Sequence, residues 1–382
     1  MRILILGPAE PNDILQPDDG VTYPRGQGGQ PVNDLARHLG ACGLEVEVIS
    51  LSEDIDTEWQ TSQGRTSVRL VPMRRSPRRR LGDLYAVEVR RLKRAIREGG
   101  PYDVIHAHWT YAYAHAALSI DKGALISLHD SPWRLFRLAP SPGLAALSAQ
   151  TFWTARRAHN VVASSPYVAS TWARDFRGMR PRAIMPNLAP DLAGTEPAEQ
   201  ERLRVISMGH PHPNKNLPAL VKAWPKIRDA VPNARLTITG SDTEAGGEFD
   251  MAHGASAQGV QMLGRAPRQE LLEQLGKSSI MVHPSLSEAC PMSIVEAMTL
   301  GMPAVVGRQA GPLEWRIGSG GRVVDVSDAG EIADATIQLL TDQAAYGIAQ
   351  QGAFEASVKF APGELMPRWL ELYAVLAQER KR

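Results

Sequence analysis

The chain has 382 residues, 43% of them hydrophobic and 22% charged, with a formal net charge of +1. That length exceeds one ordinary core and predicts two domains of a soluble globular protein. No stretch is long and apolar enough to span a bilayer, and Cys42 and Cys290 give neither a disulfide framework nor a metal spacing, so a reducing cytoplasm is expected.

The opening MRILILGPAEP holds too short an apolar run for a signal peptide and reads as a first buried strand. Further short apolar runs follow at 46–51, 104–108, 124–129, 161–163 and 183–185, with helical patterns at 32–42, 84–97, 111–121, 144–157 and 167–176 between several of them. Continuous apolar strands separated by helices predict a parallel sheet covered on both faces. The net charge hides a basic first half. Arg74, Arg75, Arg78, Arg79 and Arg80 surround a proline, and Arg90, Arg91, Lys93, Arg94 and Arg97 share a helical pattern. The run reads either as a solvated face or as a patch for anionic lipid headgroups or an anionic acceptor. Nucleic acid is not an expected partner, because no zinc spacing or aromatic interleaving accompanies it.

The segment 188–203, rich in Pro, Ala, Gly and Glu, breaks the alternation and reads as a linker. A second series then begins, with strands at 204–208, 235–239, 260–263, 280–283, 304–306 and 322–324 and helices at 217–230, 268–276, 293–300 and 329–340. The expected organisation is an α/β chain of two Rossmann-like, doubly wound domains at 1–187 and 204–360, with 361–382 as a final helix. That helix carries Leu365, Trp369, Leu372, Tyr373 and Leu376 at helical spacing and is expected to cross back onto the first domain. Ligands of such sheets gather outside the carboxyl ends of the strands. Two domains facing across a cleft would suit a two-substrate reaction.

Candidate site residues fall at those ends. Gly28 and Gly29 precede a helix and leave backbone N–H groups open to a phosphate, or simply form a turn. His106 lies inside its strand and reads as core; His108 and His129 end their strands, where an imidazole either bonds a ligand hydroxyl or is structural. Lys215 stands at a helix entrance, as a phosphate-gripping cation or a surface lysine. In SEACPMSIVEAMTLGMPAVV, residues 287–306, a turn delivers Glu288 to a strand end and aims the N–H groups of Met292 and Ser293 at any ligand there. Glu296 follows inside an apolar helix, where a carboxylate either accepts two ribose hydroxyls or complements the helix dipole.

Glu288 and Glu296 with seven residues between them, followed by AMTLGMPAVV and AGPLEW, resemble the E-x7-E motif of the retaining glycosyltransferases of family four, which have the GT-B fold. GGQPVNDLARHLGACGLEVEVIS, YDVIHAHW, SLHD, MPN at 185–187, MGHPHPNKN and LGRAPRQELLEQLGKSSIMVHPSLSE match the family's other segments in order, so the resemblance covers nearly the whole chain. It implies that a nucleoside diphosphate sugar binds mainly to the second domain. Lys215 then pairs with the diphosphate, Glu296 takes the ribose, and Glu288 contacts the donor sugar near the reacting centre. His129 lines the donor sugar from the first domain, and Gly28-Gly29 approaches the diphosphate or acceptor. Transfer retains the anomeric configuration and uses no divalent metal or other cofactor. His210 stands where the family usually has arginine, and Arg265 or a protonated His210 is expected to compensate.

The leading expectation is a sugar transferase of cell-surface or exopolysaccharide assembly, with a glycan or lipid-linked acceptor. It would be cytoplasmic, with peripheral contact at an anionic membrane face. Two alternatives stand beside it: a transferase acting on a small soluble acceptor, and a GT-B module that binds a nucleotide sugar without turnover.

Overall fold

The computed structural model of the chain describes residues 1–17, 20–176, 179–190, 202–311 and 317–381. Most of the expected linker, from 191 to 201, and the end of AGPLEW, from 312, lie outside the described residues. The chain divides into two compact units, Met1–Leu188 with Pro362–Arg382, and Ala189–Ala361.

The first unit is built on strands β1 (Arg2–Leu6), β2 (Glu45–Ser52), β3 (Trp59–Gln63), β4 (Thr66–Pro72), β5 (Val104–His108), β6 (Leu125–Leu128), β7 (Asn160–Ala163) and β8 (Ala183–Ile184), in the order β3-β4-β2-β1-β5-β6-β7-β8. Every neighbouring pair is parallel except the β3–β4 hairpin. Ile3, Leu4, Ile5 and Leu6 are fully buried, as strands covered on both faces require. Successive strands are laid outward from β1 in both directions, so the carboxyl ends of β1 and β5 form a topological switch point.

The final helix, Pro362–Lys381, belongs to this unit. Leu365, Met366, Trp369, Tyr373 and Leu376 share a core with Ile3, Val32 and Leu125. The Tyr373 hydroxyl lies 2.8 Å from Nδ1 of buried His106, whose Nε2 lies 2.8 Å from Ser127 Oγ.

The helix expected from 84 starts at Ala86, because Leu84 and Tyr85 hold left-handed conformations at φ 51° and 62°. Four of the ten cations in the basic run are answered by carboxylates. Arg74 pairs with Asp83 and with buried Glu88, each at 2.7 Å, while Arg75 meets Asp56, Arg80 meets Glu53 and Arg94 meets Glu58.

The second unit carries β9 (Arg204–Met208), β10 (Arg235–Thr239), β11 (Gln261–Gly264), β12 (Ile280–His283), β13 (Ala304–Gly307) and β14 (Gly321–Val324). The order is β11-β10-β9-β12-β13-β14, wholly parallel. This is the dinucleotide-fold strand order, and its switch point lies between β9 and β12. Trp224 and Ile227 of helix Leu217–Ala230 and Leu339 of helix Ala329–Thr341 are fully buried against Val205 and Ile238. The stretch 242–258 contains helix Glu248–His253. Asp250 accepts from the N–H groups of Gly246 and Ser256 at 2.9 and 2.7 Å, and Phe249 is buried, so the segment is packed down.

No helix among the described residues is long and apolar enough to cross a membrane.

Candidate active site

In the second unit the two segments leaving β9 and β12 are tied together at the switch point. After β9 the chain turns through Gly209 and His210 into the short helical turn Pro213–Lys215. Gly240 sits so close to this turn, at φ 150°, that a Cβ there would stand 2.3 Å from the Gly209 carbonyl oxygen. After β12 comes the turn bearing Glu288. The Leu286 N–H donates to the Asn214 carbonyl at 2.7 Å, and the Glu288 N–H donates to the Ala310 carbonyl at 3.1 Å.

This framework brings Lys215 Nζ to 2.5 Å from Glu288 Oε1, with His283 Nε2 at 3.0 Å from the same oxygen. Burial disfavours the Glu288 charge, but Lys215 and the His283 hydrogen bond overcome it and hold the carboxyl well below the usual carboxylate range. An ionised carboxylate is thus fixed at the strand end beside a cation. His283 was legible only as a strand-end histidine, the same signal as His108 and His129, and carried no assigned role.

Helix Met292–Thr299 begins just after this turn, behind Pro291 and with no side-chain cap on its first N–H groups. Those of Met292 and Ser293 are therefore open to an anion. Glu296, on the second turn, is buried and ion-paired to Arg268 Nη1 at 2.7 Å. Burial nevertheless raises its pKa, with Arg268 opposing. Arg268 was not read as a site residue; it opens helix Arg268–Lys277, which looks amphipathic and ordinary. Arg265 is exposed and makes no ion pair among the described residues. His210 is also exposed; desolvation and then the charges of Lys215 and His212 lower its pKa, so the ring is neutral at pH 7 and a protonated His210 is not the resting state.

In the first unit, Gly28 and Gly29 hold φ 73° and 108°, and Gly29 caps helix Gln30–Ala41. A Cβ on Gly29 would stand 2.0 Å from the Pro8 carbonyl oxygen, so only glycine permits this approach. His108 Nδ1 and His129 Nε2 are 2.9 Å apart, and Trp109 stacks on His129 at a centroid distance of 4.3 Å. Burial drives the His129 pKa down to about 3, so it acts as a neutral ring. Next to it, Asp130 accepts from the Tyr111 hydroxyl at 2.9 and 3.0 Å, and burial still pushes its carboxyl up to about 6. A pocket of about 230 Å³ lies here, lined by Gln27, Met73, Tyr85, Trp109, Tyr111 and Tyr113 among others. Two of these, Tyr85 and Trp109, have positive φ, a strain that a packed site sustains.

Two family models match the chain: "Glycosyltransferase Family 4" over residues 30–187 and "Glycosyl transferases group 1" over residues 202–342. An exopolysaccharide phosphotransferase of Streptomyces coelicolor is 29% identical over 203 residues, 52% of this chain and 21% of the relative. A GDP-mannose-dependent monoacylated alpha-(1-6)-phosphatidylinositol monomannoside mannosyltransferase of Corynebacterium glutamicum is 30% identical over 154 residues, 38% of this chain and 40% of the relative. The matched part therefore spans well under two thirds of either curated relative. The solved sucrose-phosphate synthase of Thermosynechococcus elongatus superposes with a TM-score of 0.75 at 18% identity, covering 98% of both chains, which establishes the GT-B fold. The first unit thus matches a family 4 glycosyltransferase model and the second unit a group 1 glycosyltransferase model.

Proposed function

We propose that the chain is a retaining glycosyltransferase that moves a sugar from a nucleoside diphosphate sugar to an acceptor hydroxyl, in the assembly of a lipid-linked cell-surface or exopolysaccharide glycan at the cytoplasmic face of the membrane. The observation that carries this reading is the Lys215–Glu288–His283 cluster at the ends of β9 and β12. An ammonium has three N–H donors. Glu288 takes one, leaving two for the diphosphate oxygens, and the uncapped N–H groups of Met292 and Ser293 add more. These donors meet the charge that develops on the departing diphosphate, with no resident metal in the scheme. Glu288, kept ionised, faces the positive charge that develops at the anomeric carbon. Glu296 serves the ribose hydroxyls, with Arg268 fixing its carboxylate. Gly28, Gly29 and His129 serve the diphosphate, acceptor and donor sugar from the first unit, and the aromatic pocket beside them holds the acceptor.

The name of the Corynebacterium relative, a phosphatidylinositol monomannoside mannosyltransferase, supports the lipid-linked part. The pocket volume of about 230 Å³ favours a second reading, a transferase for a small soluble acceptor. A thermal-shift screen with UDP, GDP and ADP and their sugars tests the donor site. One nucleotide should raise the melting temperature of the wild type and leave Lys215→Ala unmoved. If none stabilises the chain, or if Lys215→Ala responds equally, the donor assignment fails. Product NMR with the stabilising donor then reads whether the anomeric configuration is kept.

A further inference from the structure

Four of the ten cations at 74–97 pair with carboxylates; a second arginine-rich surface on the first unit combines its charge with exposed aromatic side chains. Between residues 131 and 180 the sequence holds seven arginines and one acidic residue, Asp175. Asp175 is engaged by Arg174 at 3.3 Å. Arg137 and Arg156 are exposed and make no ion pair among the described residues, while the half-buried Arg134 places its guanidinium 5.0 Å over the Tyr167 ring. The same surface leaves large apolar side chains in water: Trp133 is 39% exposed, Leu138 43% and Phe152 44%.

The aromatic side chains form a continuous ladder. Trp133 lies 5.9 Å from Phe136 and 6.5 Å from Phe152; Phe152 lies 5.1 Å from Phe176, which stacks at 4.6 Å on fully buried Trp172. Beside the ladder runs a groove of about 460 Å³ whose lining includes Phe152, Arg156, His159 and Phe176. The sequence PWRLFRL, in helix Pro132–Leu138, places arginines directly between the aromatic and leucine side chains. Arginine stems cover apolar surface while their heads stay solvated, and Trp and Phe settle at the headgroup level of a bilayer. A contiguous apolar patch rimmed by one sign of charge marks an interaction surface.

We propose that this surface, formed by helix Pro132–Leu138, the end of helix Pro142–Ala155 and Phe176, docks the protein on an anionic lipid bilayer, with the aromatic side chains in the interface and the arginines on phosphate headgroups. It rests on the lipid-linked reading of the function. It also moves the membrane contact away from the arginine run at 74–97.

The test is sedimentation of the full chain with vesicles of phosphatidylcholine alone and of phosphatidylcholine mixed with phosphatidylglycerol, with no donor or acceptor present. The wild type should bind the anionic vesicles at least about tenfold more tightly than the neutral ones. Arg134→Glu with Arg137→Glu, and separately Trp133→Ser with Phe152→Ser, should each weaken that binding at least about tenfold. Both variants should keep a cooperative melt and the wild-type nucleotide response. Arg78→Glu with Arg79→Glu should weaken binding less than either of these variants. Absence of binding to anionic vesicles, or undiminished binding in both double variants, overturns the proposal. So does a concentration-dependent dimer that Phe152→Ser dissolves, since a second copy would then be the occupant. If vesicles bind as expected but only water-soluble acceptors are glycosylated, the lipid-linked reading fails and the docking surface stands.

Discussion

Glu288 is held between an ammonium and an imidazole, and its protonation is tied to folding as well as to turnover. Its pKa in the folded chain lies below the ordinary 4.5. The native state therefore binds that proton less readily than the unfolded chain. The stabilisation is fully present above about pH 4.5 and is lost as pH falls below it. Glu288→Gln should flatten the acid limb of a melting-temperature profile below about pH 4.5, while lowering kcat/KM at pH 7 by about 10²-fold or more. An acid limb as steep as that of the wild type would show that Lys215 and His283 do not hold the charge. His210 sits beside this cluster as a neutral ring. An arginine there brings a permanent charge and a planar fork to the diphosphate. His210→Arg should lower the donor KM by about threefold to tenfold, as a partly exposed charge-assisted contact would. Steady-state kinetics with the donor found by thermal shift decides it. Gly29→Ala is the backbone counterpart. With φ at 108° and the Pro8 carbonyl in the way, it should destabilise the chain by more than about 1 kcal/mol, read from urea denaturation.

At the scale of elements, the last helix is fixed to the sheet through an apolar seam with a buried polar contact inside it, Tyr373 to His106, and through exposed contacts such as Arg182 with Glu379 and Arg368 with the Ile184 carbonyl. Burial lowers the His106 pKa from 6.5 to about 3. For a base with a depressed folded pKa, stability is fully present above the unfolded value and declines as pH falls from about 6.5 toward 3. Tyr373→Phe removes the hydroxyl and leaves the buried imidazole nitrogen unpaired. It should lower stability by about 1–3 kcal/mol at pH 7, checked by chemical denaturation. The seam was legible in the sequence because Leu365, Trp369, Tyr373 and Leu376 repeat at helical spacing. The parallel sheets were legible for a similar reason: strands buried on both faces are short, continuous apolar runs such as ILIL and IMVH. The β3–β4 hairpin was not, because the WQTSQ of β3 is mostly polar and lies at the sheet edge, so no burial pattern marks it. At the candidate site, Lys215 was visible at a helix entrance, Glu288 at a strand end and Glu296 in an apolar helix. Arg268 and His283 were not assigned, because pairing between residues 28 and five positions apart depends on how the helices and turns fold over the strand ends. The Trp109–His129 stack and the Tyr111–Asp130 pair were hidden for the same reason.

At the scale of the whole chain, two units with no core in common make two separable stability measurements. Ile3, Val32, Trp369 and Tyr373 belong to a core of the first unit, and Val205, Trp224, Ile238 and Leu339 to one of the second, which has another around Ile206 and Val295. Each unit buries its own sheet on both faces, so each has the cooperative unit that a two-state melt requires. Calorimetry should then resolve two components. A nucleotide bound at Lys215 stabilises only the fold that forms its site, by an amount set by its concentration relative to Kd. It should raise the component assigned to Ala189–Ala361 by more than the other. Trp369→Ala removes a buried side chain from the first core and should cost that unit about 3–5 kcal/mol. It should lower the first unit's component while the nucleotide-responsive one keeps both its midpoint and its response. If Trp369→Ala and the nucleotide move the same single transition, the final helix is coupled to donor binding, and the division of stability between the two units is wrong.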